Sequence, residues 1–302
     1  MRTAAIALLL LVACGPGARK RGDDTAVDGP PGGCVPLENT VELCSDGIDN
    51  NCNGLVDCAD PECSGIGQCP VCGQVEHPTG TPIDLPDGVG GTTCVTDADC
   101  MNVQPGPQHC FDLLNGLGNK ECRQSYTSKV HFGGFASGQK LMQASDIVSV
   151  CVNISHEWIR DLQIELLTPD GLKFKLDKFE GQTCNTGACE VFLGHPADTD
   201  GDCPGCVEMG ADYCWKPTAT NMAMLPYADA NSTMMSYQST DELPPGDYQS
   251  SDAWNTLIGQ TLNGDWTIVI TDLWPIDAGK LHSWQIAFNP NIVQDCSGPV
   301  IQ

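Results

Sequence analysis

Five short runs in the second half of the chain alternate apolar with polar positions: Ile147–Ile154, Leu162–Leu166, Leu172–Leu176, Trp266–Ile270 and Trp284–Phe288. A period of two puts one set of side chains on each face of a strand. Pro169-Asp170-Gly171 and Asn263-Gly264 supply the turns between runs. No run of helical period is long enough to compete. The pattern predicts an all-β second half, an antiparallel β-sandwich over about residues 126–290. Residues 181–250 interrupt the alternation with five cysteines, Cys184 to Cys214, and a Met-, Ser- and Pro-rich stretch. That stretch reads as an insertion stapled by bridges. Met222, Met224, Met234 and Met235 follow no ligand spacing and read as gap fillers.

The first half has few such runs and a different logic. Arg2 precedes an apolar run, Ala4–Ala13, followed by Cys14-Gly15. A charged start, a short apolar stretch and small residues before a cut site read as a signal peptide over residues 1–13. The run is shorter than the roughly 20 apolar residues of a membrane span. Leu11-Val12-Ala13-Cys14 resembles a bacterial lipobox, which implies lipidation of Cys14 and a membrane attachment through acyl chains. The expected location is the bacterial cell envelope, lipid-anchored at the outer membrane or cell surface. Residues 14–33 are Gly-, Pro- and Asp-rich, with Arg19-Lys20-Arg21, and read as a tether.

Nineteen cysteines in 302 residues exclude an ordinary cytosolic enzyme. Setting Cys14 aside leaves an even number, a disulfide framework. Eleven fall between Cys34 and Cys122 and seven between Cys151 and Cys296. Both subtotals are odd, so complete pairing within the chain requires a bridge between the halves. Cys296, alone in the tail (residues 291–302), is its candidate. Charge narrows the partners: 39 acidic against 14 basic residues give -25, which excludes nucleic acid. From Gly22 to Asn119 there are 16 Asp and Glu and no Lys or Arg. Either that surface is simply solvated, or a cation such as calcium neutralises it.

The Cys-rich segment 34–72 carries the sharpest pattern. With Asp49 as position 1 of a calcium loop, positions 3, 5 and 12 are Asn51, Asn53 and Asp60. Gly54 takes the sixth position, Leu55 offers a backbone carbonyl at the seventh and Asp57 stands at the ninth. Alternate residues of a winding loop aim at one centre, and Gly permits its sharp turn. The shorter Asp60 replaces the usual Glu, Cys52 lies inside the loop, and the flanks are too short for EF-hand helices. The loop is therefore closer to the disulfide-bound calcium repeats of thrombospondin type 3, and it resembles a Cys-rich motif of bacterial surface proteins associated with metal binding. The alternative is a structural segment of Asx turns.

Residues 73–125 form a second Cys-rich segment, with Cys94, Cys100, Cys110 and Cys122, read as structural, although Asp97 and Asp99 could hold a weak ion. The acidic cluster Asp198–Asp202 lacks the sixth-position Gly and reads first as a solvated loop. Cys69/Cys72 and Cys203/Cys206 are too far apart in sequence to suggest one zinc site, and export favours disulfides.

His156, Asp161-Leu162, Leu166, Pro169-Asp170-Gly171 and Leu176 form one half of a further pattern. The other half is Gly264–Asp272, Asp277–Leu281 and Trp284–Phe288. Together they resemble the P domain (P/Homo B domain) of subtilisin-like proprotein convertases. The resemblance implies a jelly-roll β-sandwich preceded here by a disulfide-rich, loop-dominated segment. In that family the module accompanies a serine endopeptidase, yet no Gly-Thr-Ser block or Gly-x-Ser-x-Gly elbow occurs in this chain. Ser137 is the nearest look-alike, and His156-Glu157 lacks the second His of a zinc protease. Three functions are in play. The first is a non-catalytic lipoprotein whose calcium-binding segment displays a sandwich that binds protein or glycan. The second is an accessory factor for a separate exported protease, and the third a hydrolase with an unrecognised site in the Cys-rich insertion. Asp161, Asp272 and Asp277 are candidates for a second ion or a binding edge, against turn capping.

Overall fold

The computed structural model describes residues 33–88, 91–104, 108–114, 118–181, 191–196, 207–230, 235–237, 240–294, 296 and 300–301. Cys14 and the signal segment, the tether up to residue 32, Asp198–Asp202, Met234, and Cys184, Cys189, Cys203 and Cys206 lie outside the described residues.

The strands run in order β1 (Gln74–Asp84), β2 (Gln108–Asp112), β3 (Lys120–Phe132), β4 (Ile147–His156), β5 (Leu162–Leu167), β6 (Lys173–Asp177) and β7 (Val191–Phe192). Then come β8 (Ala211–Trp215), β9 (Met235–Tyr237), β10 (Thr240–Glu242), β11 (Gly246–Tyr248), β12 (Gly264–Asp272), β13 (Gly279–Phe288) and β14 (Val300–Ile301). Two short α-helices, α1 (Asp97–Cys100) and α2 (Met224–Ala230), and several single-turn 3-10 helices connect them. One sheet of the sandwich has the order β1-β13-β4-β8-β11, the second β14-β3-β12-β5-β6 with β2 added on β3, and a small third sheet has the order β7-β10-β9. The protein is an all-β sandwich.

The alternation read from the sequence sets which side chains meet between the sheets. Trp266, Ile268 and Ile270 of β12 are fully buried and face Val150, Val152 and Ile154 of β4 and Trp284 and Ile286 of β13 within one core. Phe288 packs edge-on against Phe132 and Trp266, with ring centroids 4.9 and 5.3 Å apart. Trp266 keeps its indole N–H satisfied by the Leu262 carbonyl at 2.9 Å, as a buried donor requires.

Three segments enter the sandwich that composition had set outside it. β1 pairs antiparallel with β13, although it carries Pro78, Gly80 and Pro82. An edge strand tolerates proline because only one side joins a ladder. β3 begins in the second Cys-rich segment, where Cys122 faces Cys110 of β2, and continues past Ser125 to pair with β12. The stretch 181–250 supplies β8 and β11 to the first sheet, and its Tyr213, Trp215 and Tyr248 are among the most deeply buried side chains. Met224 is fully buried as a gap filler, whereas Met222 and Met235 are exposed.

Seven disulfides join described residues. Cys34–Cys52, Cys44–Cys63 and Cys58–Cys69 close the first Cys-rich unit, Cys94–Cys110 and Cys100–Cys122 the second, and Cys151–Cys214 ties β4 to β8. Cys72–Cys296 joins the halves, the bridge that the odd subtotals require. Such a framework places the folded chain in an oxidising compartment, so the protein is exported.

Candidate functional site

The loop Asp49–Asp60 winds as its glycine demands: Gly54 sits at φ 97°, and Cys52 and Asp57 also take positive φ, 62° and 49°. Asn51 and Asn53 both donate through Nδ2 to one Asp60 oxygen, at 2.8 and 2.9 Å. Positions 3, 5 and 12 thus converge. Positions 1 and 9 do not join them. The Asp49 carboxylate accepts the backbone N–H groups of Asn53 and Gly54 at 3.1 and 2.8 Å, and Asp57 accepts that of Gly47. Leu55 donates its N–H to Asn53 Oδ1 at 2.8 Å.

The residue at the heart of this unit is one the spacing argument passes over. Glu38 is fully buried, and its carboxylate accepts the N–H groups of Asn50 and Asp57 at 2.8 and 3.1 Å. Burial, with the charge of Asp60 beside it, pushes the Glu38 carboxyl above its ordinary value. Glu62 in turn accepts the N–H of Glu38 at 2.7 Å and the Asn51 amide at 3.0 Å. No loop template points eleven residues upstream, so sequence alone carries no signal for Glu38. As a donor set for calcium, the oxygens of Asn51 and Asn53 would have to turn toward Asp60, where their amide nitrogens now lie. Among the described residues no three carboxylates gather within 4.8 Å of one another. The three sulfurs that do, those of Cys94, Cys100 and Cys110, belong to disulfides and are not thiolate ligands.

The second expected set assembles around a buried histidine. His156 Nε2 lies 3.2 Å from Asp272 Oδ2, both side chains being buried. The Trp158 N–H donates to His156 Nδ1 at 3.1 Å, which puts the ring proton on Nε2, facing Asp272. Burial opposes charge on this ring, but Asp272, Asp161 and Asp277 outweigh it and raise the His156 pKa. The carboxylates also hold the turn between β12 and β13. Asp272 accepts the N–H of Trp274, Glu157 that of Ala278 and Asp87 that of Ile276, at 3.0, 2.8 and 3.2 Å. Asp272 therefore serves both the turn and the histidine, while Asp161 and Asp277 add their charge at His156.

Beside it, Ser155, His282 and Glu208 come close to a hydrolase constellation. Ser155 Oγ is 3.4 Å and Glu208 Oε1 3.8 Å from His282, but both approach the same nitrogen, Nε2. A relay needs the acid on Nδ1, so this geometry does not activate the serine. Burial lowers the His282 pKa.

Residues 145–190 and 228–288 match the family model of the proprotein convertase P-domain. The unmatched gap covers β7 and β8 and reaches into α2. No curated protein matches the chain. Among solved structures, the Aeromonas sobria serine protease in complex with its chaperone is similar at 14% identity and a TM-score of 0.24. That likeness covers 73% of this chain and 28% of the other, so this chain spans little more than a quarter of that protein. A score that low carries no weight in the assignment, which rests on the family model: the C-terminal half of this chain matches the proprotein convertase P-domain.

Proposed function

We propose that this is a non-catalytic, exported, lipid-anchored protein whose P-domain-like sandwich binds a protein or glycan at the bacterial cell surface. The P-domain match carries the reading, because a P-domain is an accessory module without catalytic groups. Supporting it, the grouping of Ser155, His282 and Glu208 has both partners on one ring nitrogen. Cys14 is the attachment point, and mass spectrometry of the membrane fraction showing an unmodified Cys14 would refute the anchor. Labelling of the purified protein by a serine-reactive probe would overturn the non-catalytic reading.

Calcium belongs to the same proposal. Asp49, Asn51, Asn53, Leu55, Asp57 and Asp60 would hold it, with the affinity of about 10⁻⁴–10⁻³ M usual for extracellular modules. Calorimetric titration of oxidised, EDTA-stripped protein is expected to show saturable heat that Asp49→Ala abolishes. Heat unchanged in the variant, or none, would leave residues 34–72 as a unit closed by N–H donors and disulfides. A second reading, favoured by the P-domain match, is an accessory role for a separate exported subtilisin-like protease. It predicts co-purification with such a protease and a longer protease half-life.

A further inference from the structure

The sandwich carries a polar cavity that none of the readings above uses. β5 alternates inward Leu162, Ile164 and Leu166 with outward Gln163 and Glu165. On a solvated face the latter two would be exposed. Here Gln163 is 8% and Glu165 4% exposed, because the second Cys-rich unit lies over them. Between that unit and the β5–β6 face remains a cavity of about 500 Å³, within the range of small-molecule sites. Asp97, His109 and Phe111 form one wall, and Gln163, Glu165 and Lys175 line the opposite side.

Most polar groups around the cavity already have partners. Asp97 accepts the N–H of Cys110 at 2.9 Å and lies 3.3 Å from His109, Asp112 accepts the Leu114 N–H, and Asp252 accepts that of Lys175. The side chains of Gln163 and Glu165 have no hydrogen-bond or ion-pair partner among the described residues, nor does the Lys175 ammonium group opposite Glu165 in the ladder. Their polar atoms stay accessible from the cavity rather than sealed without a partner. Two such groups that no described residue pairs, beside an unpaired lysine, leave hydrogen-bonding capacity that a ligand entering the cavity can take up.

The missing partner can be specified chemically. An ionised Glu165 only accepts, Lys175 only donates and Gln163 does both. An anionic ligand meets Glu165 and a cationic one meets Lys175. A hydroxyl group satisfies each of them, donating to the carboxylate and accepting from the ammonium. Phe111 and Phe179 add apolar faces to the same cavity. Repeated hydroxyls on an otherwise aliphatic ring are the mark of a sugar. We propose that this cavity is a carbohydrate-binding site in which Gln163, Glu165 and Lys175 bind the hydroxyls of a neutral saccharide. The proposal rests on the non-catalytic binding reading and narrows its partner to a glycan.

The test uses the full, oxidised chain. It is screened on an array of neutral oligosaccharides, and cellobiose, maltose, lactose and N,N′-diacetylchitobiose are titrated by calorimetry. Glycine is titrated beside them, since its ammonium and carboxylate fit the same charged pair. We expect saturable binding of at least one saccharide, weakened about tenfold or more in Glu165→Gln and in Lys175→Met, the loss of one charge-assisted hydrogen bond each. Both variants keep side-chain size, and an unchanged melting temperature confirms that they fold. The proposal is overturned if no saccharide on the array binds, if binding is the same in both folded variants, or if glycine binds and no sugar does. Release of reducing ends from a bound oligosaccharide, lost in the variants, would support the site while overturning the non-catalytic reading.

Discussion

Removing the Cys72–Cys296 bridge tests whether the Cys-rich units are part of the sandwich or carried by it. The two residues are 224 positions apart. Cys100–Cys122 and Cys151–Cys214 lie inside that loop and shorten its effective length to roughly 140 residues. Loop-closure entropy for that length is about 5 kcal/mol at 25 °C. Residual structure in the unfolded chain reduces it, so the expected loss is about 3–5 kcal/mol. The double variant Cys72→Ser/Cys296→Ser avoids a stray thiol that would reshuffle other bridges. Urea unfolding followed by tryptophan fluorescence reports on Trp266 and Trp284, both in the core. The ladder between β1 and β13 does not depend on the bridge, so β1 is expected to stay in place, while the slope of the transition rises because the freed unfolded chain exposes more surface. A loss below about 1 kcal/mol would refute the reasoning, because the unfolded chain would then gain little freedom from the cut.

Two further outcomes follow from the core. Trp266→Ala removes the largest side chain of β12 and leaves the Leu262 carbonyl without its donor, so a loss of about 3–5 kcal/mol is expected in the same assay; a loss under about 1 kcal/mol would mean the sheets close over the gap. Asp177 is buried at the end of β6, and burial, with Glu180 adding to it, raises its carboxyl well above the ordinary value. A raised folded-state pKa means the native state holds a proton that the unfolded chain releases near pH 3.9, so stability falls as pH climbs from there through the folded value. Asp177→Asn is therefore expected to gain stability relative to the parent at pH 8 and to lose that advantage at pH 4, and an equal difference at both would refute it.

What could be read from the sequence followed the strength of the local pattern. β4, β5, β12 and β13 announce themselves because one buried face imposes strict alternation. β1 does not, since Pro78, Gly80 and Pro82 are loop signals anywhere but on an edge. β8 and β11 are short, and their burial comes from Tyr213, Trp215 and Tyr248 rather than from a periodic run. Parity required a bridge between the halves, because counting needs no geometry, and the isolation of Cys296 in the tail made it the candidate. The Cys151–Cys214 pairing depends on the register of β4 against β8, which counting cannot supply. In the first Cys-rich unit the oxygen-bearing positions were legible, but their partners were not. Glu38, Glu62 and the backbone N–H groups come together only when three disulfides fold the chain back on itself.

The same dependence explains why a cavity can persist over β5. The second Cys-rich unit has little apolar material of its own beyond Cys94, Cys100, Cys122 and a few neighbours. A unit that small is held by bridges, because burial alone supplies too little. Its attachment to the sandwich is equally specific. Leu113 packs with Phe179 and Leu273, and the buried Arg123 donates from Nε to the Leu273 carbonyl at 3.1 Å. With β3 running unbroken from the unit into the sheet, α1 and β2 are fixed in position by covalent bonds, a continuous strand and one small apolar seal. A roof fixed in that way does not have to collapse onto the polar side chains beneath it. Gln163 and Glu165 can then keep their polar atoms open to the cavity, where a roof held only by burial would close over them or expel them to solvent.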